Sequence, residues 1–238
     1  MSDFLSTPIW YKALAEHTFA TQFVALEPEE TAALAAGAEE GDAVESAIAK
    51  LNLVLNEIRG NSFVSVDRCA PTDTERYELK RGAVYSARSA WVFLARSAKV
   101  RESAARGEVS CICARPFRRM SVPREFRIFI KDGKPVAASQ YHLVRHFRRL
   151  EGVKQQYWEL LEQFALKIAP LMPLTDVVAD VYVTGAKEVL LIDLNPFGDP
   201  TDPLMLDDWS RDWSSIEEPR LRLMPPPFKI SGKIKVSF

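Results

Sequence analysis

Two short apolar runs separated by a turn constrain the fold of this chain more than any other feature of its sequence. Residues 177–183 and 190–194 are rich in β-branched and aliphatic side chains, and the segment 184–187 between them contains a glycine. Such runs predict two buried strands joined as a β-hairpin. The second strand carries a carboxylate at Asp193 and runs on to a carboxamide at Asn195. Because side chains two residues apart in a strand share a face, these two are predicted to project together.

The register of this hairpin decides whether a third oxygen-bearing side chain joins them. If residues 185–186 form a two-residue loop, Asp180 lies opposite Leu191 and one diagonal step from Asp193, on the same face. Carboxylate and carboxamide oxygens are ligands that Mg²⁺ takes when it also binds phosphates. We therefore predict a metal site at Asp180, Asp193 and Asn195. The alternative is a strand that runs into a turn after Asn195.

A second hairpin is predicted upstream. An Asp-Gly pair at 132–133 is the strongest short-range hairpin signal, and extended segments flank it. With a two-residue turn, Arg127 lies opposite Ala138 and Glu125 lies opposite Gln140. This hairpin then holds an acid, a guanidinium and an amide on one face, with apolar side chains on the other. The alternative is an ordinary solvated face.

These motifs, in this order, resemble the cell-division-cycle-123 (D123) family. The resemblance is carried by Arg-Glu-Phe-Arg at 124–127, Ser-Gln at 139–140, Asp-Val-Tyr at 180–182 and Ile-Asp-Leu-Asn-Pro-Phe-Gly at 192–198. Weaker likeness extends over most of the chain. Because that family has an atypical ATP-grasp fold, the resemblance implies an α+β protein whose two lobes, with antiparallel sheets, clasp a nucleotide. We expect residues 1–117 to form the N-terminal helices and first lobe, and residues 118–238 to form the second lobe with the metal and nucleotide site.

The resemblance also implies ATP and Mg²⁺ as cofactors. Asp193 and Asn195 match the family's metal ligands, and Asp180 matches a further acidic position at the nucleotide. The residues expected at the nucleotide are Arg68, Arg115, Arg127, Gln140, Asp180, Tyr182 and Asp193. Catalytic roles are expected for Arg115, Glu125 and Arg127. The family's lysine ahead of its proline motif is missing here, and Arg68 is the candidate substitute, although arginine and lysine are not interchangeable at a phosphate.

Composition excludes several other classes of protein. The chain has 238 residues, a net charge of −1 and 47% hydrophobic residues, which are ordinary values for a globular protein. It lacks the apolar run of roughly 18 residues that a membrane span needs, and its first residues lack the regions of a signal peptide. The three cysteines form no disulfide framework. We therefore expect an intracellular protein, cytoplasmic or nuclear, with reduced thiols.

Two further segments have clear periodicity. Apolar residues spaced three and four apart predict a helix over 153–168. Lysines that alternate with apolar residues predict an edge hairpin or an extended edge strand over 229–236.

Positive charge is concentrated in the middle of the chain. The supply exceeds what one nucleotide needs, and Phe117, Tyr141 and Phe147 lie among the arginines. This pattern is typical of single-stranded nucleic-acid binding, while a solvated basic face is the alternative. The arginines expected to contact RNA are Arg118, Arg119, Arg145, Arg148 and Arg149.

Two functions follow from these expectations. The first is a Mg-ATP-dependent ATP-grasp enzyme that activates a carboxylate or phosphate for ligation, with an RNA ligase that joins RNA ends as the specific prediction. The second is an ATP-binding assembly chaperone for the gamma subunit of translation initiation factor 2, because eukaryotic members of the family resemble such chaperones. The basic middle of the chain favours the ligase.

Overall fold

Strands in two separate sheets organise residues 3–227, which are the residues that the computed structural model describes. The edge hairpin or edge strand predicted over 229–236 lies outside the described residues. The strands are β1 (Gln22–Ala25), β2 (Ser62–Val66), β3 (Cys111–Pro116), β4 (Glu125–Lys131), β5 (Lys134–Gln140), β6 (Val177–Val183), β7 (Val189–Pro196) and β8 (Leu221–Arg222).

Helices pack against both sheets. They are α1 (Thr7–Leu14), α2 (Pro28–Ala36), α3 (Asp42–Glu57), α4 (Glu75–Lys80), α5 (Ala87–Ala95), α6 (Ala98–Ala105), α7 (Arg148–Glu151) and α8 (Lys154–Ile168). The helix predicted over 153–168 is confirmed as α8. Within residues 3–227, no helix combines the length and the apolar character needed to cross a bilayer.

The first sheet has three antiparallel strands in the order β1-β3-β2. Because alternate side chains point to opposite faces, one face packs with helices α2, α3, α5 and α6 in a hydrophobic core. The strand residues that share this core are Val24, Val64, Val66, Ile112 and Ala114. The other face carries Phe63 and Arg115, which pair across neighbouring strands. That polar and aromatic face lies toward the second sheet.

The second sheet has five strands in the order β7-β6-β4-β5-β8. Strand β8 runs parallel to β5, and the other neighbours are antiparallel. Phe126 and Ile128 of β4 pack with Trp158 and Leu161 of α8 in a second core. The face opposite these residues therefore holds the polar side chains of β4, as the alternating sequence predicts.

The hairpin of β6 and β7 forms, but its predicted register is wrong. Val183 pairs with Val189, and the N–H of Thr184 donates to the carbonyl of Glu188 at 2.8 Å, so the loop is longer than two residues. A bulge in β7 then shifts the pairing by one residue, so that Asp180 pairs directly with Asp193 and the two side chains lie on the same face. The two carboxylates therefore share a face, as predicted, but they lie opposite each other and not on a diagonal.

The hairpin of β4 and β5 also forms with a different register. Arg127 pairs with Ser139 and Phe126 pairs with Gln140, because a bulge lies between Phe129 and Ile130. The bulge accompanies Pro135, whose nitrogen cannot donate a ladder hydrogen bond.

Gln140 therefore lies on the opposite face from Glu125 and Arg127, and its predicted placement on the polar face is wrong. Its Nε2 donates to the carbonyls of His142 at 2.6 Å and Arg145 at 3.1 Å. Gln140 thus orders the chain that leaves β5.

The first helix, α1, belongs to the N-terminal half of the sequence but packs against the sheet formed by the C-terminal half. Trp10 and Leu14 of α1 are fully buried in the core of the five-stranded sheet, although α1 precedes the three-stranded sheet in sequence. The division of the chain into residues 1–117 and 118–238 stays a prediction, and α1 is the segment whose packing departs from it.

We expect Trp10→Ala to lower the free energy of unfolding by about 3–5 kcal/mol, because it removes a fully buried aromatic side chain. Chemical denaturation measures this change. The matched control is Ile9→Ala, since Ile9 is 40% exposed on the same helix. Equal losses in the two variants would contradict the packing of α1 against the five-stranded sheet.

Candidate functional site

A cavity of about 170 Å³ lies where the two sheets face each other. The three-stranded sheet contributes Phe63, Ser65 and Arg115 to its wall, and the five-stranded sheet contributes Asp180 and Asp193. The cavity therefore brings a guanidinium from one sheet to the carboxylates of the other.

Arg115 joins the two sheets across this cavity. Its Nη1 donates to the carbonyl of Ile192 in β7 at 3.1 Å. That carbonyl belongs to the residue that the bulge leaves without a partner between Leu191 and Asp193. The irregularity of the second hairpin thus supplies the acceptor that fixes Arg115.

The guanidinium of Arg115 is buried and incompletely satisfied. Its Nε has no hydrogen-bond partner among the described residues. Burial lowers the pKa of Arg115, because the charged form loses its hydration. A buried donor without an acceptor costs about 1–3 kcal/mol. An anionic group in the cavity would neutralise the buried charge of Arg115.

Asp193 is the carboxylate most perturbed by the cavity. It is half-buried, and its Oδ1 accepts a hydrogen bond from the N–H of Leu194 at 2.9 Å. Burial raises the pKa of Asp193 to about 7, repulsion from Asp180 adds to the shift, and Arg115 opposes it. A carboxylate in this state gains free energy when a cation binds beside it.

Asp180 is held by a hydrogen-bonded network. Nε and Nη2 of Arg127 donate to its two oxygens at 2.7 and 2.8 Å, and Nδ2 of Asn195 donates to Oδ2 at 3.0 Å. Nη1 of Arg127 also donates to the carbonyl of Asp202 at 2.6 Å. These contacts use three of the roughly four acceptor positions of the carboxylate. Because the amide nitrogen of Asn195 faces Asp180, its Oδ1 is directed away from that carboxylate.

Glu125 and His142 form a second side-chain pair in the wall of the cavity. Oε2 of the buried Glu125 lies 3.1 Å from Nε2 of His142. Tyr77 and Tyr141 line the same cavity. Burial raises the pKa of Tyr77, and the neighbouring Glu125 adds to this effect. The Tyr77 hydroxyl therefore stays protonated at neutral pH and can donate a hydrogen bond to a ligand.

Cys69 also lines the cavity, but it is not a nucleophile. Burial raises the pKa of this thiol to about 12, so the reactive thiolate is scarce at neutral pH.

The cavity brings together four of the residues that the sequence predicts for the site. These are Arg115, Glu125, Asp180 and Asp193. Arg127 and Asn195 do not line it, and they contact Asp180 instead. Their predicted roles in catalysis and in ligand binding stay predictions.

Three other predicted residues lie away from the cavity wall. Nη2 of Arg68 donates to Asp3 at 3.4 Å, and the hydroxyl of Tyr182 accepts from the N–H of Ser121 at 3.4 Å. Gln140 is the third, because of the bulge described above. Arg68 therefore does not supply a cation to the cavity in this structure.

The arginines predicted to bind RNA also lie partly at the cavity and partly away from it. Arg118 lines the cavity. The guanidinium carbon of Arg145 lies 5.1 Å from the ring centre of Phe147. The remaining members, all exposed, are Arg119, Arg148 and Arg149. RNA binding by these residues stays a prediction.

Sequence reasoning missed Tyr77, Arg81 and His142, all of which line the cavity. Tyr77 and Arg81 belong to α4 and its C-terminal end, which is too short to show a helical period. The one available signal for His142 was its position two residues after Gln140, at the end of a predicted strand.

The two facing sheets and the cavity between them define an ATP-grasp-like α+β protein. The model of the D123 family matches residues 91–228, and the chain belongs to this family. The predicted fold class and the predicted family are both confirmed.

Two curated relatives illustrate the sequence similarity. Cell division cycle protein 123 of Candida glabrata is 37% identical over 83 residues, which are 34% of this chain and 23% of the relative. The translation initiation factor eIF2 assembly protein of Vanderwaltozyma polyspora is 41% identical over 88 residues, which are 36% of this chain and 23% of the relative. The matched segments therefore span about a quarter of these relatives.

A solved structure shows the same fold over nearly the whole chain. C-terminally truncated Cdc123 from Schizosaccharomyces pombe superposes with a TM-score of 0.78 at 22% identity, and the match covers 93% of this chain and 95% of that chain.

The predicted RNA ligase activity is wrong. Homologues carry the names eIF2 assembly protein and cell division cycle protein 123, and these names agree with the alternative function.

The network around Asp180 predicts a loss of stability when Arg127 is removed. We expect Arg127→Ala to lower the free energy of unfolding by about 3–5 kcal/mol, because a buried carboxylate loses its ion-pair partner. Arg127→Lys should lose less, since it keeps the charge without the planar fork. Arg119→Ala, at an exposed position, is the control and should change stability by less than about 0.5 kcal/mol. Similar values for Arg127→Ala and Arg119→Ala in urea denaturation would contradict the network.

The raised pKa of Asp193 predicts a pH-dependent stability. Protonation in the folded state stabilises the fold at low pH, and this contribution is lost as pH rises toward about 7. Asp193→Asn removes the cost of ionisation, so its melting temperature should exceed that of the parent by more at pH 8 than at pH 5. Thermal denaturation in metal-free buffer measures both differences. Equal differences at the two pH values would show that Asp193 titrates normally.

Proposed function

We propose that this chain binds Mg-ATP in the cavity and acts as an assembly factor for translation initiation factor 2, with the gamma subunit as its partner. The names of the homologues support translation initiation factor 2 as the target, and the family resemblance supports its gamma subunit as the partner. The nucleotide is supported by the chemistry of the cavity and by the ATP-grasp-like fold. A translation factor as partner agrees with the expected intracellular location, cytoplasmic or nuclear.

The oxygen ligands suit Mg²⁺. Asp193 offers a carboxylate whose raised pKa favours a nearby cation, and Asn195 offers an amide oxygen that its bond to Asp180 leaves unused. Residues 3–227 contain no group of three His, Cys, Asp or Glu side chains arranged to hold a metal. This sparse set fits Mg²⁺, because Mg²⁺ is commonly bound by one or two carboxylates together with phosphates and water.

The buried charge of Arg115, which has no carboxylate partner among the described residues, is the observation that carries the nucleotide proposal. A phosphate in the cavity would neutralise this buried charge, and charge-assisted hydrogen bonds between guanidinium and phosphate are strong. Arg115 also bonds to Ile192, so a phosphate held by Arg115 is linked through this guanidinium to both sheets. When bound, Mg-ATP would supply the negative charge that the cavity lacks around Arg115.

Binding at the junction of the sheets gives a physical route to ATP-dependent assembly. A ligand that contacts both sheets favours the arrangement in which they face each other as they do here. If the partner also favours that arrangement, each ligand raises the affinity for the other by the same factor.

The nucleotide part of this proposal predicts that Asp193→Ala loses Mg-dependent ATP binding while the fold is kept. Isothermal titration calorimetry with ATP, with and without Mg²⁺, measures the effect, and circular dichroism checks the fold. Asp199→Ala is the matched control, because Asp199 is an exposed carboxylate that does not line the cavity. Unchanged Mg-ATP affinity in Asp193→Ala would refute the site.

The partner is tested with purified gamma subunit of translation initiation factor 2 from the same organism. We expect complex formation in a pull-down with the parent protein, and a tighter complex when Mg-ATP is present. Asp193→Ala should remove the effect of the nucleotide. Absence of any complex with the parent protein would reject the assembly function, whatever the result for ATP.

A further inference from the structure

Arg81 occupies a strained position at the end of α4. Its φ is +54°, in the left-handed region that L side chains rarely adopt, and its N–H donates to the carbonyl of Tyr77 at 2.8 Å. Helices commonly place glycine at such a terminal position, because glycine adopts this conformation without strain. Here glycine follows one residue later, at Gly82. The chain therefore keeps a long cationic side chain where glycine would be more stable.

Gly82 fixes this turn against the three-stranded sheet. A Cβ at Gly82 would lie 2.7 Å from a ring carbon of Phe63, so the backbone there is pressed onto that ring. Phe63 in turn pairs with Arg115 across neighbouring strands. The turn thus places Arg81 near the wall that already holds the buried guanidinium of Arg115.

The side chain of Arg81 lines the cavity and is exposed. Within residues 3–227, its guanidinium makes no hydrogen bond or ion pair. Its neighbours on the same turn do have partners. Arg76 donates to the carbonyl of Ala83 at 3.0 Å, and Nζ of Lys80 lies 5.7 Å from the ring centre of Tyr85. Helix capping therefore accounts for the backbone of Arg81 but not for its side chain.

The charges around the cavity indicate what this side chain binds. Glu125 and Asp180 are both engaged, with His142 and Arg127 respectively. The cations of the wall that lack a carboxylate partner among the described residues are Arg81, Arg115 and Arg118. The cavity thus has an excess of uncompensated positive charge on the side of the three-stranded sheet, which suits a ligand with several negative charges.

We propose that Arg81 binds the phosphates of the nucleotide, as a second guanidinium from the first lobe alongside Arg115. The proposal rests on the proposed binding of Mg-ATP. It adds Arg81 as a phosphate ligand whose strained backbone conformation places a guanidinium at the cavity. Strained non-glycine residues concentrate at ligand sites, because the surrounding structure offsets their cost.

The variant Arg81→Gly distinguishes phosphate binding by the side chain from helix capping by the backbone, because the two roles predict different effects on affinity and on stability. Glycine relieves the strained φ, so the melting temperature should rise by about 2–4 °C, the shift expected for about 1 kcal/mol in a protein of this size. Loss of a charge-assisted hydrogen bond should weaken binding of Mg-ATP, and of inorganic tripolyphosphate, by about tenfold or more. Arg81→Lys keeps the charge without the fork and should bind with intermediate affinity.

Lys80→Ala is the matched control, because it removes the same charge from the adjacent position, which does not line the cavity. It should leave both affinities unchanged. Parent-like binding of both ligands by Arg81→Gly would overturn the role of Arg81 while the nucleotide site stands. If the parent protein binds neither Mg-ATP nor tripolyphosphate, the nucleotide site and the role of Arg81 both fail.

Discussion

The ion pair between Arg127 and Asp180 sets the orientation of Asn195 and the charge that faces Asp193 on the cavity side of the five-stranded sheet. Two hydrogen bonds from one guanidinium fix both oxygens of Asp180. The same carboxylate then orients the amide of Asn195. Asp193, directly opposite, is left beside a fixed negative charge and without an ion pair of its own within residues 3–227. Burial, together with this neighbouring charge, thus makes Asp193 a carboxylate that gains by binding a cation.

Two β-bulges decide which side chains reach the cavity. The bulge in β7 brings Asp193 opposite Asp180 and frees the carbonyl of Ile192 for Arg115. The bulge beside Pro135 turns Gln140 to the opposite face. Bulges are common next to functional sites because they redirect a side chain without ending the strand. Regular ladders in both hairpins would leave the cavity without its link between the sheets.

The sequence contains the elements of this fold but not their register. Apolar periodicity identifies both hairpins and α8, and the motif that ends in Asn195 locates the acidic residues. A shift of one residue changes the face of every side chain that follows, so loop length and bulges had to be known before Gln140 could be placed.

Contacts between distant segments were equally hidden from the sequence. The pairing of Arg68 with Asp3 and the approach of Arg81 to the cavity depend on how separate segments pack together. No local pattern encodes these contacts.

The bond between Arg115 and Ile192 has a consequence for the thermodynamics of ligand binding. A free arginine side chain loses about 2 kcal/mol of rotamer entropy when it is ordered, and a ligand that must order it bears that loss. Here folding has already immobilised the guanidinium through its bond to Ile192, in the wall of the cavity. The loss of side-chain entropy therefore lowers the free energy of unfolding of the protein and does not weaken its affinity for the ligand. A single carbonyl acceptor at Ile192 achieves this with one of the five N–H donors of the guanidinium.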